Sequence, residues 1–251
     1  MIRLFNRIRK QLLDENRTSR YLKYALGEIL LVMIGILRAR QVNNWNQTRQ
    51  VKKEELKVLK GLHQEFIKNL SRFDTTYKRQ KARRDEVVIT MTSNFEEFTI
   101  ERWDSIHVIN VAQWTFDPLK GVYNSVINSG KLDLISSDEL KTKISKFQDL
   151  VIDYKEEELN TNNFGMNTIY PFIIENFPSK FGVWSKFRER TIEEEKVAKQ
   201  AYIDLYKDQA FENMMTFLIA YMSAIFEEGP ILREEMVSII GLLEEEIEKH
   251  K

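Results

Sequence analysis

From Leu62 to Asp117, and again from Val183 to Glu228, the chain contains neither glycine nor proline. Helices tolerate runs of that length, whereas sheet proteins need turn residues every few positions. The fold class that follows is all-α. With 251 residues the chain can bury a sizeable core, and once an N-terminal segment is set aside about 200 residues remain for one domain. Lys plus Arg equal Asp plus Glu at 38 each, so no net field draws the protein to a polyanion, and nucleic acid is excluded as a partner. Cysteine is absent, which removes disulfides, thiolate metal sites and cysteine nucleophiles and fits either redox compartment.

One run departs from the charged pattern of the rest. Ile29-Leu-Leu-Val-Met-Ile-Gly-Ile-Leu37 is apolar throughout but covers only roughly 14 Å as a helix, against about 30 Å of hydrocarbon. Extended over residues 24–42 it reaches a full span and takes in Glu28, Arg38 and Arg40. The two arginines lie near one end, where their stems rest in lipid and their guanidinium groups meet phosphates. Tyr21 and Tyr24 on one side and Trp45 on the other stand at an interface-to-interface separation. Leu37-Arg-Ala-Arg40 is a poor cleavage site, so the segment reads as an uncleaved anchor. Residues 1–23 are basic and amphipathic, with Ile2, Leu4, Phe5, Ile8, Leu12 and Leu13 among seven Lys and Arg, the pattern of a cytoplasmic flank.

The segments Gly27-Glu-Ile-Leu-Leu-Val32, Gly35-Ile-Leu37 and Ala39-Arg-Gln-Val-Asn-Asn-Trp-Asn46 resemble the N-terminal signature of a bacterial family of single-pass membrane proteins of unknown function. Phe116-x-Pro118, Tyr123, Ser129-Gly-Lys-Leu132 and Leu134-Ile135, followed by a long helix, resemble a later segment of the same family. The resemblance implies an N-terminal transmembrane helix with a helical domain outside the lipid, and it supplies no catalytic residues. Positions 38 and 40 depart from it, because the family is apolar where this chain has Arg.

Residues 43–251 read as the extramembrane domain. Asn43 to Gln50 lack Pro and Gly, so the spanning helix continues toward a long helix whose stripe is Leu59, Leu62, Phe66, Leu70, Phe73 and Tyr77. Lys and Arg residues, Arg83 and Arg84 among them, populate its other faces. A short helix over Thr99 to Thr115 stops at Asp117-Pro118. A second carries Leu119, Val122, Val126 and Ile127 and ends at Asn128-Ser-Gly130. Ser136-Ser-Asp-Glu139 has the form of a capping box opening a helix with Leu140, Ile144, Phe147, Val151 and Tyr154 on one face. Phe164 to Phe187 is aromatic and irregular. Ile192 to Glu227 forms a closing helix, and Gly229-Pro230 turns the chain into a last one whose stripe, Leu232, Met236, Ile239, Leu243 and Ile247, packs on its own domain. The architecture expected is thus a transmembrane helix leading into an irregular multi-helix bundle.

No catalytic, cofactor-binding or metal-binding residue is assigned. His63, His107 and His250 lack metal-motif spacing, although Asp104 stands one turn from His107, and the runs Glu156-Glu-Glu158, Glu193-Glu-Glu195 and Glu244-Glu-Glu246 read as solvated faces. No phosphate loop, dinucleotide fingerprint or nucleophile elbow is present. The expectation is a non-enzymatic, partner-binding or sensory domain at a bacterial cell membrane, with its N-terminus cytoplasmic and its helical domain periplasmic. Its partners would be the bilayer and either another protein or a second copy of the chain. A membrane-associated hydrolase or transferase with a site near residues 164–187 is one alternative reading. A soluble bundle whose N-terminus rests on the membrane is the other.

Overall fold

The computed structural model describes residues 18–180 and 187–250, and among these there is helix and no strand, as the spacing of glycine and proline requires. The chain divides into two compact units, with the division between Glu55 and Leu56. Helix α1, Thr18–Thr92, has its residues up to Glu55 in the first unit and the remainder in the second. The helix expected to continue through Asn43–Gln50 does so. The basic segment before it lies outside the described residues.

In the second unit, α2 is Ile100–Val111, α3 is Gly121–Asn128, α4 is Asp138–Phe164, α5 is Tyr170–Asn176, α6 is Ile192–Lys207 and α7 is Gln209–Glu248. Local chemistry sets most of these boundaries. The Thr99 side chain accepts the Arg102 N–H at the start of α2, and Thr191 with Glu194 forms a capping box on α6. Gly130, at φ 69°, supplies the left-handed residue after α3. The cap of α4 is Ser137, which accepts from Leu140 N, so the N3 position falls on apolar Leu140 and a single side-chain cap stands in place of the capping box expected from Ser136 to Glu139.

Three long seams build the core. On α1 the buried positions include Leu59, Leu62, Phe66, Asn69, Phe73, Gln80, Arg83, Val87 and Thr90. On α4 they are Leu140, Ile144, Phe147, Val151, Tyr154, Glu158 and Thr161. On α7 they run from Phe211 through Met215, Leu218, Met222, Ile225, Gly229, Leu232, Met236, Ile239 and Leu243 to Glu246. Steps of three and four average 3.5 residues, which keeps a narrow stripe on one face when helices lie nearly along one another. Phe66, Phe73, Phe147, Tyr154 and Leu232 belong to one cluster; Val87, Trp103, Tyr202, Tyr206 and Met215 belong to a second.

Two expected breaks are placed differently. The chain breaks at Asp208, whose carboxylate accepts from Ala210 N and Phe211 N, and Pro230 lies inside α7. Gly229 serves packing there: a Cβ on it would stand 2.4 Å from Tyr77 Cε2. That ring is fixed, stacked on Phe73 and set edge-on to Phe226. The stretch from Phe164 is also more regular than expected. Gly165–Ile169 forms a π-helical turn, and Pro171 sits in the first turn of α5, where a missing N–H costs nothing. Phe164 stacks on Tyr221, Phe172 on Phe211, and Phe177 meets Tyr202, so these rings seal the bundle. Phe181 and Trp184 lie outside the described residues.

Gly229→Ala forces a methyl into the Tyr77 ring, and overpacking of this kind costs about 1–3 kcal/mol. Urea unfolding should show that loss with an unchanged m value, while Gly241→Ala, where an added Cβ meets nothing within 4 Å, should be neutral or stabilising.

Candidate functional site

Residues 112–120 connect α2 to α3 without forming helix, yet Phe116 within them is fully buried. Backbone groups taken out of water need partners, and an irregular segment cannot supply its own. Side chains of α1 supply several of them and also hold the adjoining ends of α2 and α3. Glu65 accepts from Val122 N at 2.7 Å and Tyr123 N at 2.8 Å, closing the N-terminus of α3 with a negative charge. Asn69 clasps Leu119 twice, accepting its N–H at 2.7 Å and donating to its carbonyl at 2.9 Å. Gln80 donates to Trp114 O at 2.9 Å, and Arg83 Nε donates to Asn110 O at 3.0 Å.

Glu158 completes the clamp from α4. Its carboxylate accepts from Phe116 N at 2.8 and 3.1 Å and from Gln80 Nε2 at 2.7 Å, while Tyr154 Oη donates to Gln80 Oε1 at 2.6 Å. The structure therefore overturns the reading of Glu158 as a solvated acid, and Arg83, expected on an outer face, is buried as well. Glu246, from another of the acidic runs, is also buried, and Lys249 donates to it. Burial pushes the Glu158 carboxyl up to about 7, against the Phe116 and Gln80 hydrogen bonds that pull it down. Burial raises the Tyr154 phenol too.

A groove of about 590 Å³ opens beside this carboxylate between residues 115–120 and α4. Val151, Ile152 and Leu159 give it an apolar wall, and Lys120, Lys155 and Asn162 stand along it. Lys155 reaches Asp117 at 2.8 Å, and that contact holds the Asp117 carboxyl below its ordinary range. None of the described residues of 164–187, where the alternative enzymatic reading placed a site, lines the groove. Both oxygens of Glu158 are engaged in holding backbone, so the carboxylate is a fixed structural acceptor.

The remaining charged clusters also join elements. Asp104 takes two bonds from Arg190 at 2.8 Å each and one from Tyr202 Oη at 3.1 Å. His107, one turn from Asp104, lies against the rings of Phe177 and Tyr202. Glu86 pairs with Arg102 through both oxygens. His63 is 3.0 Å from Glu244 across the bundle, a pairing that spacing along the chain does not show. No group of three or more His, Asp or Glu side chains able to hold a metal occurs among the described residues.

In the first unit the feature is the surface of α1. Ile29, Leu30, Leu31, Val32, Met33, Ile34, Ile36 and Leu37 point to every side of the helix, and each is more than half exposed. Trp45 is 66 % exposed. The side chains of Tyr21 and Tyr24 lie outside the described residues. By length and composition, the described helix apolar enough to cross a membrane is α7, and a core helix passes the same test. Its seam residues are buried in the second unit. For α1, a window of membrane length takes in Glu28, Arg38 or other charges along with the apolar run.

An all-α protein results, with a polar-clamped helical bundle as its second unit and an exposed apolar helix in its first. The chain belongs to DUF6090, a family of unknown function, which it matches over residues 28–157, just over half its length. That range takes in the apolar run and the α1 side of the clamp and stops one residue short of Glu158. No curated protein and no solved structure matches the chain.

Asn69→Ala strands the Leu119 N–H and carbonyl, so it should cost about 2–3 kcal/mol in chemical unfolding. A loss below about 0.5 kcal/mol would contradict the clasp. Glu158 gives a pH signature of definite sign. Its folded pKa, about 7, exceeds the ordinary 4.5, so the unfolded chain releases this proton first as pH rises. Its contribution to stability therefore falls between pH 4.5 and 7, by about 3 kcal/mol in all. Glu158→Gln keeps an acceptor for Phe116 N, and the difference in stability between the variant and wild type should widen in the variant's favour across that window. A constant difference would contradict the assignment.

Proposed function

We propose that the protein is a single-pass, membrane-anchored helical protein of the bacterial cell membrane, with residues 1–23 as a basic flank, 24–42 as the span and 43–251 as the domain outside the lipid. The observation that carries this reading is the exposure of Ile29–Leu37 on all faces of α1. Burying one such side chain contributes about 1.5–3 kcal/mol, so eight together have a strong drive to leave water. A stripe would suit a partner helix; an all-round apolar surface suits a bilayer. Arg38 and Arg40 then lie at the end of the span with Trp45 beyond them at the interface, and the seven basic residues before Tyr24 support a cytoplasmic N-terminus with a periplasmic helical domain.

The helical domain acts by binding, in partner recognition or sensing. Supporting this are the engagement of its buried acids with backbone and a groove lined by none of the described residues of 164–187.

Alkaline carbonate extraction of membranes from expressing cells tests the anchor. The wild-type chain should stay in the pellet, and Leu31→Lys combined with Ile34→Lys, each costing about 3 kcal/mol or more mid-span, should move to the supernatant. Release of the wild-type chain by carbonate would overturn the anchor.

A further inference from the structure

The clamp contains one group whose chemistry it does not complete. Arg83 is 4 % exposed, and burial lowers its pKa to about 10, so it remains a cation at neutral pH. Buried guanidinium groups are ordinarily paired with carboxylates, because an unpaired charge out of water is costly. Here the nearby acids are engaged elsewhere: Glu86, one turn along α1, holds Arg102, and Glu158 holds Phe116 and Gln80. Arg83 makes one hydrogen bond, from Nε to Asn110 O, and its Nη1 and Nη2 have no acceptor among the described residues.

Three polar atoms on neighbouring residues are buried without a partner: Asn110 Oδ1, Gln113 Nε2 and Thr161 Oγ1. Contacts already described bring these residues into the neighbourhood of Arg83. Asn110 is bonded to Arg83 through its carbonyl. Gln113 adjoins Trp114, which Gln80 holds one turn before Arg83 on α1. The Gln113 amide also lies against Gly165, where a Cβ would stand 3.0 Å from Nε2, and Thr161 is one turn before Gly165 on α4. Tyr170, at the end of the π-helical turn that starts at Gly165, is close enough to act electrostatically on Arg83. A π-turn widens a helix locally and is frequent at ligand sites. The Asn110 amide can present either its oxygen or its nitrogen, since its partner Tyr206 Oη both donates and accepts.

We propose that Arg83, with Gln113, Thr161 and Asn110, forms an internal binding site for a small carboxylate. The free Nη1 and Nη2 form the end of the guanidinium fork, which matches the two oxygens of one carboxylate. The hydroxyl of Thr161 and the amide nitrogens of Gln113 and Asn110 supply the remaining donors. The site lies within the second unit and is independent of the membrane reading, so either can fail without the other.

Thermal unfolding of the full chain in detergent micelles tests the site, with sodium acetate, sodium phosphate and sodium chloride as probes at matched ionic strength. Acetate should raise the melting temperature saturably, by about 5–10 °C at a hundredfold excess over its Kd, and chloride should not. Arg83→Met should abolish the acetate response while its melting in chloride remains a single cooperative transition, with the loss of the Arg83–Asn110 bond lowering the midpoint. If Arg83→Met does not fold, Thr161→Val and Gln113→Leu should each weaken acetate binding about tenfold or more. The absence of a saturable acetate effect on wild type would overturn the proposal, and so would an unaltered response in a folded Arg83→Met. Saturation by phosphate alone would replace the carboxylate with a tetrahedral anion and overturn it as stated.

Discussion

The second unit depends on a transfer of hydrogen bonds from side chains to a stretch of backbone that has no secondary structure of its own. Residues 112–120 lie against the bundle with Phe116 inserted into its core, and each buried N–H or carbonyl left unpaired there would cost about 1–3 kcal/mol. Asn69 and Gln80 of α1 and Glu158 of α4 take up groups of Leu119, Trp114 and Phe116, while Arg83 and Glu65 hold the adjoining ends of α2 and α3. Because these side chains lie on helix seams, the same residues that hold the segment also fix how α1 and α4 face it. Phe116 is thereby set among Phe73 and Tyr154, with ring centroids 5.2 Å from Phe73 to Phe116 and 5.3 Å from Phe73 to Tyr154. Removing the polar contacts would release the aromatic ones with them.

The clamp was hard to read in the sequence because its residues look ordinary there. The apolar stripe of α1 is visible as Leu59, Leu62, Phe66 and Phe73, and the α4 stripe is visible from Leu140 to Tyr154; periodicity is a property of single helices. Asn69, Gln80 and Arg83 continue the α1 seam at the same steps but are polar, and polarity ordinarily means exposure. Glu158 is one of three consecutive glutamates. Only its phase with Val151 and Tyr154 distinguishes it from its neighbours, and that phase was the available signal. Partnerships such as His63 with Glu244 depend on the tertiary fold and leave no trace in spacing.

The misplaced break has a similar cause. Gly-Pro is a strong local turn signal, yet Pro230 sits within α7 because seam residues on both sides, Ile225 before it and Leu232 after it, are buried in the same core cluster. Packing along one continuous seam outweighs the loss of a single N–H. Gly229 is retained there for the space it leaves to Tyr77. In the first unit the balance is reversed: the apolar run was legible from composition, and its exposure on all sides of α1 gives it a physical reason to seek lipid. Family membership covers both features without assigning either a function.

Amide hydrogen exchange on the wild-type protein measures the clamp most directly, since it reads the backbone groups themselves. The N–H groups of Phe116, Leu119, Val122 and Tyr123 are donors to Glu158, Asn69 and Glu65 and should exchange as slowly as buried α4 amides such as Ile144 and Phe147. Exchange of those four at the rate of unprotected loop amides, with α4 still protected, would show that the segment is not held by side chains and would contradict the account.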